Sequence, residues 1–297
     1  MKIGLVINMR RDCHLQVSNK AVKFLRDLGV EVVVDPQHHQ SEIYQLAGVE
    51  FSSYAECAVV LAIGGDGTLL SAAHWTGEWR MPLGGINLGS LGFMTEIDVE
   101  VMQDALTAIV AGNYSLDQRM LLKVWCKDKL GQIKYEDFAV NDAVCNRDPS
   151  SPIQTYQLNI DNETVELIPG DGIIISSPTG STGYAMAAGG PIIDPRVRAI
   201  LFTPLCPHTL HNRNYVLAED SVIEIRLQQP NSSSYLSVDG RNTIQLDTDD
   251  VIKVAKNSLS LNLISLTKQN FYTKVPEKIQ KRSLGRAICK NWLGDHA

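Results

Sequence analysis

The chain lacks any run close to the ~20 consecutive apolar residues that a membrane-spanning helix requires, so no helical membrane span is expected. It lacks a CxxC pair: its six cysteines, at 13, 57, 126, 145, 206 and 289, are scattered, several of them inside apolar runs. That pattern argues against a disulfide framework or a cysteine zinc site and for reduced thiols in a cytoplasmic protein. Among seven histidines there is no HExxH, and His208 and His211, at an i, i+3 spacing, have no Cys or Glu cluster beside them. No metal site built from the protein's own side chains is therefore expected. Excess positive charge is missing too. Lys and Arg number 27 against 33 Asp and Glu, a formal net charge of -6, which argues against nucleic acid as the partner. Internal repeats and low-complexity tracts are absent. The first residues, Met1 to Asn8, are too short for a signal peptide and read as a strand. Finally, there is neither GxxxxGK[ST] nor a GxGxxG in the right setting, which excludes a P-loop protein and a standard dinucleotide fold by motif.

What is present is a globular chain of 297 residues, 44% hydrophobic and 20% charged, long enough for two domains. It is organised around Gly64-Gly65-Asp66-Gly67-Thr68. This turn follows Ala58-Val59-Val60-Leu61-Ala62-Ile63, a charge-free run that reads as a strand buried on both faces of a parallel sheet. Leu69 to Ala73 read as the first turns of a helix. Strand, glycine turn and helix start form a phosphate site, because free amides and the helix dipole point at the ligand. Asp66 is out of place there. It should repel phosphate unless it holds a metal ion or takes a proton from an attacking hydroxyl, which points to phosphoryl transfer. The competing reading is a tight turn with a helix-capping Asp.

Around this turn, residues 1 to about 118 alternate strand and helix. A strand at 2–8 leads to a helix with face Ala21, Phe24, Leu25 and Leu28, stopped by Gly29, and then a strand at Val30–Val34. Leu83–Gly89 runs into a loop, Ser90-Leu91-Gly92-Phe93. Asp98 is placed to cap a helix with face Met102, Ala105, Leu106 and Ile109 that ends at Gly112. This predicts a doubly wound α/β domain over 1–118 carrying the glycine turn. From 119 to 265 the period changes to alternation, with hairpin signals at Asp128–Gly131 and Asp161–Glu163 and further strands at 222–227, 234–238 and 251–254, predicting an all-β domain in layered sheets. The stretch 266–297 carries a basic segment expected to be helical and packed back on the body.

Two more stretches stand out. Asn141-Asp142 ends the strand Phe138–Val140 and begins a loop; an amide beside a carboxylate can grip a vicinal diol, although Asn-Asp is also a common turn signal. Gly170 to Ile192 runs from an apolar strand into a loop of hydroxyls and glycines, then a small-residue helix and a Gly-Gly-Pro stop, with Tyr184 offering a ring for stacking on a base. A flexible linker is the alternative.

Together the three stretches resemble the NAD kinase family, whose motifs are GGDG, a strand-end Asn followed by Glu or Asp, and a long TPTGSTAY…AGGPI segment. They stand here at 64–67, 141–142 and 177–192, in the family's order, with further likeness at Gly85-Ile86-Asn87…Gly92-Phe93, Cys206–Leu210…Arg213 and Val238-Asp239-Gly240. GGDGT is shared with diacylglycerol, sphingosine and phosphofructokinases; the long third segment is far more specific. The resemblance implies an NAD kinase/diacylglycerol kinase-like fold. It implies transfer of the γ-phosphoryl group of ATP, or in some members of inorganic polyphosphate, to the 2′-hydroxyl of the adenosine ribose of NAD, with Mg²⁺ or another divalent cation accompanying ATP. The implied catalytic residue is Asp66 as general base, with metal ligation as its alternative role. Gly64, Gly65, Gly67 and Thr68 are implied at the phosphates. Gly67, Phe93, Asn141, Asp142, Asp171, Thr182, Gly183, Tyr184, Ala187, His208 and Asp239 are implied at the substrate. The family's equivalent of Tyr184 can reach a neighbouring subunit's site, so a homodimer or homotetramer is expected. Nucleic acid and membrane are not expected as partners. The chain departs from the family at Gly183 (usually Ala), Ala187 (often Ser), Asn214 (usually Pro) and Ser177 (commonly Thr). Two rivals remain: a lipid or sugar kinase of the same superfamily, and a dinucleotide-binding regulator without activity.

Overall fold

The computed structural model describes residues 1–76, 81–89, 92–209, 213–266, 271–272 and 275–276. Most of the basic C-terminal segment, His211 and the Ser90-Leu91 part of the loop lie outside the described residues. The chain forms two compact units: Met1–Gln118 with the described residues from Leu261 onward, and Arg119–Ser260.

The first unit runs β1 (Lys2–Ile7), α1 (Gln16–Asp27), β2 (Glu31–Val34), β3 (Glu50–Phe51), β4 (Val59–Gly64), α2 (Asp66–Thr76), β5 (Leu83–Asn87), β6 (Ile97–Asp98) and α3 (Met102–Val110). Its strands are parallel in the order β3-β2-β1-β4-β5, with β6 beside β5. All six residues of β4 are buried, as a central parallel strand covered on both faces requires. One face of the sheet (Ile3, Leu5, Ile7, Leu61, Ile63, Ile86) packs against Ala21, Val22 and Leu25 of α1 and Met102, Leu106 and Ile109 of α3. Helix α2 packs on β4, β5 and β1. The chain adds strands to one side of β1 and then, from β4, to the other. The sheet's topological switch therefore falls between the C-terminal ends of β1 and β4, where open α/β sheets bind ligands.

Three expectations need correction here. Helix α2 begins at Asp66 rather than Leu69. Leu28 is 39% exposed and off the buried face, because α1 ends at Asp27 and Gly29 (φ +76°) turns the chain away. Asp98 makes no side-chain cap; a 3₁₀ turn, Val99–Val101, stands between it and α3.

The second unit is built from β7 (Ser115–Lys127), β8 (Ile133–Ala139), β9 (Asp142–Arg147), β10 (Gln154–Ile160), β11 (Glu163–Gly170), β12 (Gly172–Ser176), the four-residue α4 (Tyr184–Ala187), β13 (Ala199–Leu205), β14 (Tyr215–Ala218), β15 (Ile223–Leu227), β16 (Ser234–Val238), β17 (Ile244–Leu246) and β18 (Val251–Ser265). β7 and β18 continue into the first unit. Six strands pair as β14-β13-β12-β9-β16-β17, and the others as β11-β10-β15-β18 with β7 and β8 attached through β18. Alternate residues of both layers, among them Val124, Tyr156, Ile173, Ile175, Phe202 and Ile225, meet in one core. On its other face the six-stranded layer buries Val144, Ile174 and Leu201 against Ala185 and Ile193. The β10–β11 hairpin turns on Asp161 (φ 52°) and Asn162 (φ 70°), both left-handed as a type I′ turn demands. Asn141-Asp142 does not lead into a loop: Asp142 opens β9, so the pair forms a corner between two strands.

Candidate active site

In the first unit the glycine turn joins β4 to α2 at the switch point. Gly64 is forced by space: a Cβ there would lie 2.2 Å from Thr68 Oγ1. Thr68 is buried, and its hydroxyl accepts from Asn8 Nδ2 (3.2 Å) and the Gly65 amide (3.4 Å). It therefore braces the turn from inside, while the Asp66 and Gly67 amides belong to the first turn of α2, outside the intrahelical ladder. The Asp66 side chain reaches to the 92–95 loop. Its Oδ2 accepts from the Phe93 amide at 2.7 Å, and its Oδ1 accepts from the Met94 and Thr95 amides (3.0 and 3.1 Å) and Thr95 Oγ1 (3.3 Å). Gly92 is the loop's point of close approach, since a Cβ there would sit 2.0 Å from Asp66 Oδ1. A carboxylate offers about four acceptor positions. With Oδ1 taking three donors and Oδ2 one, the open lone pair is on Oδ2. Phe93 belongs to this assembly through its amide.

In the second unit the organising residue is Asp239, at positive φ (50°). Its carboxylate accepts from the amides of Val140 (2.8 Å), Asn141 (2.7 Å) and Asp142 (3.0 Å), clamping the corner. Ser177 ties the long third segment to the same corner: its hydroxyl donates to the Val140 carbonyl (2.5 Å) and its amide to the Asn141 carbonyl (2.8 Å). Gly180 lets the two backbones touch, for a Cβ there would fall 2.1 Å from the Asn141 carbonyl oxygen. Gly183 lies beside both polar groups of the corner; a Cβ on it would be 3.7 Å from Asp142 Oδ2 and 3.8 Å from Asn141 Nδ2. Asp142 is only 6% exposed. Burial, with the Asp239 charge adding to it, raises its pKa from an ordinary 3.8 to about 7. The corner thus presents an amide and a carboxylate that gains most from a hydroxyl or cationic donor when ionised.

The remaining expected residues do not all join this cluster. Thr182 is buried and donates to the Thr179 carbonyl (3.2 Å). Tyr184, 50% exposed, and Ala187, also exposed, stand on α4. Asp171 precedes β12, whereas Asp142 pairs with Ser176 at the far end of that strand. There Asp171 is held by Arg147 through Nε (2.9 Å) and Nη2 (2.8 Å). His208 shares that end, its amide bonded to the Pro169 carbonyl. Sequence reading missed Arg147, Ser177 as the corner's tie, and Asn8. The one signal for Asn8 was its place at the end of the first strand. Among the described residues no group of three or more His, Cys, Asp or Glu side chains could hold a metal, and no helix is long and apolar enough to cross a membrane.

Residues 3–114 match the family model described as the ATP-NAD kinase N-terminal domain, and residues 140–266 the ATP-NAD kinase C-terminal domain. The chain is 33% identical over 278 residues to the NAD kinase of Natranaerobius thermophilus, covering 93% of this chain and 97% of that one. It is 34% identical over 280 residues to the NAD kinase of Methanothermobacter thermautotrophicus, covering 94% and 96%. The same fold occurs in yeast NADH kinase complexed with NADH (TM-score 0.83, 24% identity, 92% of this chain and 85% of that one). It occurs also in an Archaeoglobus fulgidus NAD kinase in complex with ATP (TM-score 0.72, 22% identity, 95% and 99%). The chain belongs to the NAD kinase family and is a phosphotransferase of that family.

Proposed function

We propose that this enzyme moves the γ-phosphoryl group of ATP to the 2′-hydroxyl of the adenosine ribose of NAD, giving NADP, with Asp66 receiving the hydroxyl proton. Phosphoryl transfer asks the protein mainly for positioning and charge stabilisation. In the first unit the amides at the start of α2 receive phosphate oxygens. The observation that carries the reading is the state of Asp66: three amides and one hydroxyl fix its carboxylate, and the lone pair left on Oδ2 is the one an incoming hydroxyl would use. In the second unit Asn141 and Asp142 hold ribose hydroxyls, and Gly183 keeps the approach to both open. Thr182 lines the adenine side through its backbone, because its hydroxyl is turned inward to Thr179. Asp171 and His208, at the other end of β12, with Tyr184 exposed on α4, are assigned to contacts with substrate in a homo-oligomer. A divalent cation accompanying ATP would be held by the donor's phosphates, with Asp66 as the candidate protein oxygen, and would neutralise charge on the transferred phosphoryl group. Free thiols at Cys13, Cys57, Cys126, Cys145 and Cys206 support a cytoplasmic setting.

The same hydrogen bonds favour a second role for Asp66, as the anchor of the 92–95 loop. Asp66→Asn therefore does two things. It removes the base, and it turns an amide nitrogen toward an N–H donor whichever way the side chain flips. The test measures NADP formation and, separately, NAD binding by calorimetry for wild type, Asp66→Asn and Thr95→Ala. A proton acceptor predicts a kcat loss of about 10²–10⁴ in Asp66→Asn with NAD still bound, and little change in Thr95→Ala. A kcat within tenfold of wild type in Asp66→Asn would end the general-base assignment.

A further inference from the structure

The first unit contains a cleft of about 520 Å³ at the C-terminal end of β1, lined among others by Asn8, Arg10, His38, Gly67, Ser71 and Trp75. Among the described residues no Asp or Glu lines it, although the chain as a whole carries a net charge of -6. Gly67, Ser71 and Trp75 follow one another at i, i+4 steps, so they lie along one face of α2. At 1.5 Å per residue, Trp75 stands about 12 Å beyond Gly67 along the helix. The far end of the cleft is aromatic: His38 stacks on Trp75 with ring centroids 4.3 Å apart and planes 7° from parallel.

That stack is held from below. Asp35 caps the 3₁₀ turn Pro36–His38 by accepting from the Gln37 amide at 3.0 Å. The next residue, His39, is fixed through both ring nitrogens: Nδ1 donates to the Asp35 carbonyl (2.8 Å) and Nε2 accepts from the Ile7 amide (3.0 Å). This assignment needs neutral His39, and burial lowers its pKa in the direction that keeps it neutral. A half-buried, doubly bonded His39 thus sets the position of His38, so the platform is in place before any ligand arrives.

We propose that this cleft is the seat of the phosphoryl donor's purine base, which joins the His38–Trp75 stack while the donor's phosphates run back along α2 toward Gly67 and Arg10 neutralises part of their charge. The inference rests on the reading of ATP as donor and names the residues that would distinguish it from inorganic polyphosphate. Base stacking tolerates any purine, so ATP and GTP should both be accepted, and a donor with no base should gain nothing from the platform.

The test is calorimetric binding of ATP, inorganic tripolyphosphate and NAD to the full chain, with KM for each substrate in the same preparations, for wild type, Trp75→Leu, Trp75→Phe and His38→Ala. The expected result is about a tenfold loss of ATP affinity in Trp75→Leu, a smaller loss in His38→Ala and recovery in Trp75→Phe. Tripolyphosphate and NAD should bind as in wild type. Unchanged ATP affinity in both Trp75→Leu and His38→Ala, an equal loss for tripolyphosphate, or a loss confined to NAD would each overturn the proposal. Wild type that binds ATP in this pattern yet forms no NADP would defeat the kinase reading and leave the platform standing.

Discussion

Replacing Asp142 by Asn should stabilise the protein above neutral pH, although it removes a residue assigned to the substrate. The carboxyl is 6% exposed, and its pKa is raised to about 7 from 3.8 by burial first and the Asp239 charge second. Between those values the folded chain keeps this proton and the unfolded chain has lost it. The unfolded state then binds fewer protons, and stability falls as pH rises, by about 1.4 kcal/mol per pH unit from this one group. Integrated from about pH 4 to 7, that is on the order of 4 kcal/mol; above pH 7 the loss is complete and constant. Asn is nearly isosteric and has no such proton. The two proteins should therefore be close in stability near pH 4, and Asp142→Asn should pull ahead through pH 7. Urea melts from pH 4 to 8.5, followed by far-UV circular dichroism, give the difference directly, and subtraction removes every group common to both proteins. A constant difference across this range, or a variant less stable at pH 8.5, would refute the argument. Under the proposed function, NAD should narrow the gap at pH 8, because ribose hydroxyls supply donors to the ionised carboxylate of wild type.

Other consequences are simpler to read. Gly180→Ala places a Cβ 2.1 Å from the Asn141 carbonyl oxygen, with backbone on both sides; it should cost about 3 kcal/mol, seen as a lower urea midpoint. Gly92→Ala drives a Cβ to 2.0 Å from Asp66 Oδ1; the displaced carboxylate should cost about 10² in kcat with NAD affinity preserved, measured by steady-state kinetics beside calorimetry. Gly183→Ala restores the family's usual residue and brings a Cβ to 3.1 Å from the Gly180 carbonyl oxygen, 3.7 Å from Asp142 Oδ2 and 3.8 Å from Asn141 Nδ2; thermal melts should shift by no more than about 1 kcal/mol of stability in either direction. In the native protein a thiol reagent should label the exposed Cys13 and Cys206 first, with Cys57, Cys126 and Cys145 reacting only on unfolding. Burial pushes the Cys57 thiol to about 11 and the Cys126 thiol to about 12.

Much of the first unit was legible because its physics is local. A charge-free run before glycines dictates a buried strand, and Met102, Ala105, Leu106 and Ile109 announce a helix face by spacing alone. What failed there also has a local cause. A glycine turn reads as loop, but β4 runs through Gly64, Gly65 alone separates it from α2, and Asp66 already belongs to the helix; its carboxylate is taken by a loop 27 to 29 residues on, a partner no window of sequence displays. Asn8 escaped for the same reason, since its bond to Thr68 spans 60 residues.

In the second unit the fold divides a motif that is contiguous in sequence. Residues 170 to 192 read as one ligand-facing segment because they are contiguous. Yet a strand carries its ends apart by about 3.3 Å per residue, so Asp171 and Ser176 are separated by about 16 Å. Register then decides company. β12 pairs with β9 so that Ser176 meets Asp142 and Gly172 meets Asn146. Asp171 is thereby delivered to Arg147, while Ser177, Gly180 and Gly183 are delivered to the Asn141-Asp142 corner. The Asp239 clamp that makes the corner rigid is supplied by the next strand across, β16, whose end it follows and whose Val238 pairs with Ala143. Contiguity in the chain therefore grouped Asp171 with residues it does not touch, whereas three separate stretches, at 140–142, 177–183 and 239, meet at one corner because antiparallel pairing aligns their ends.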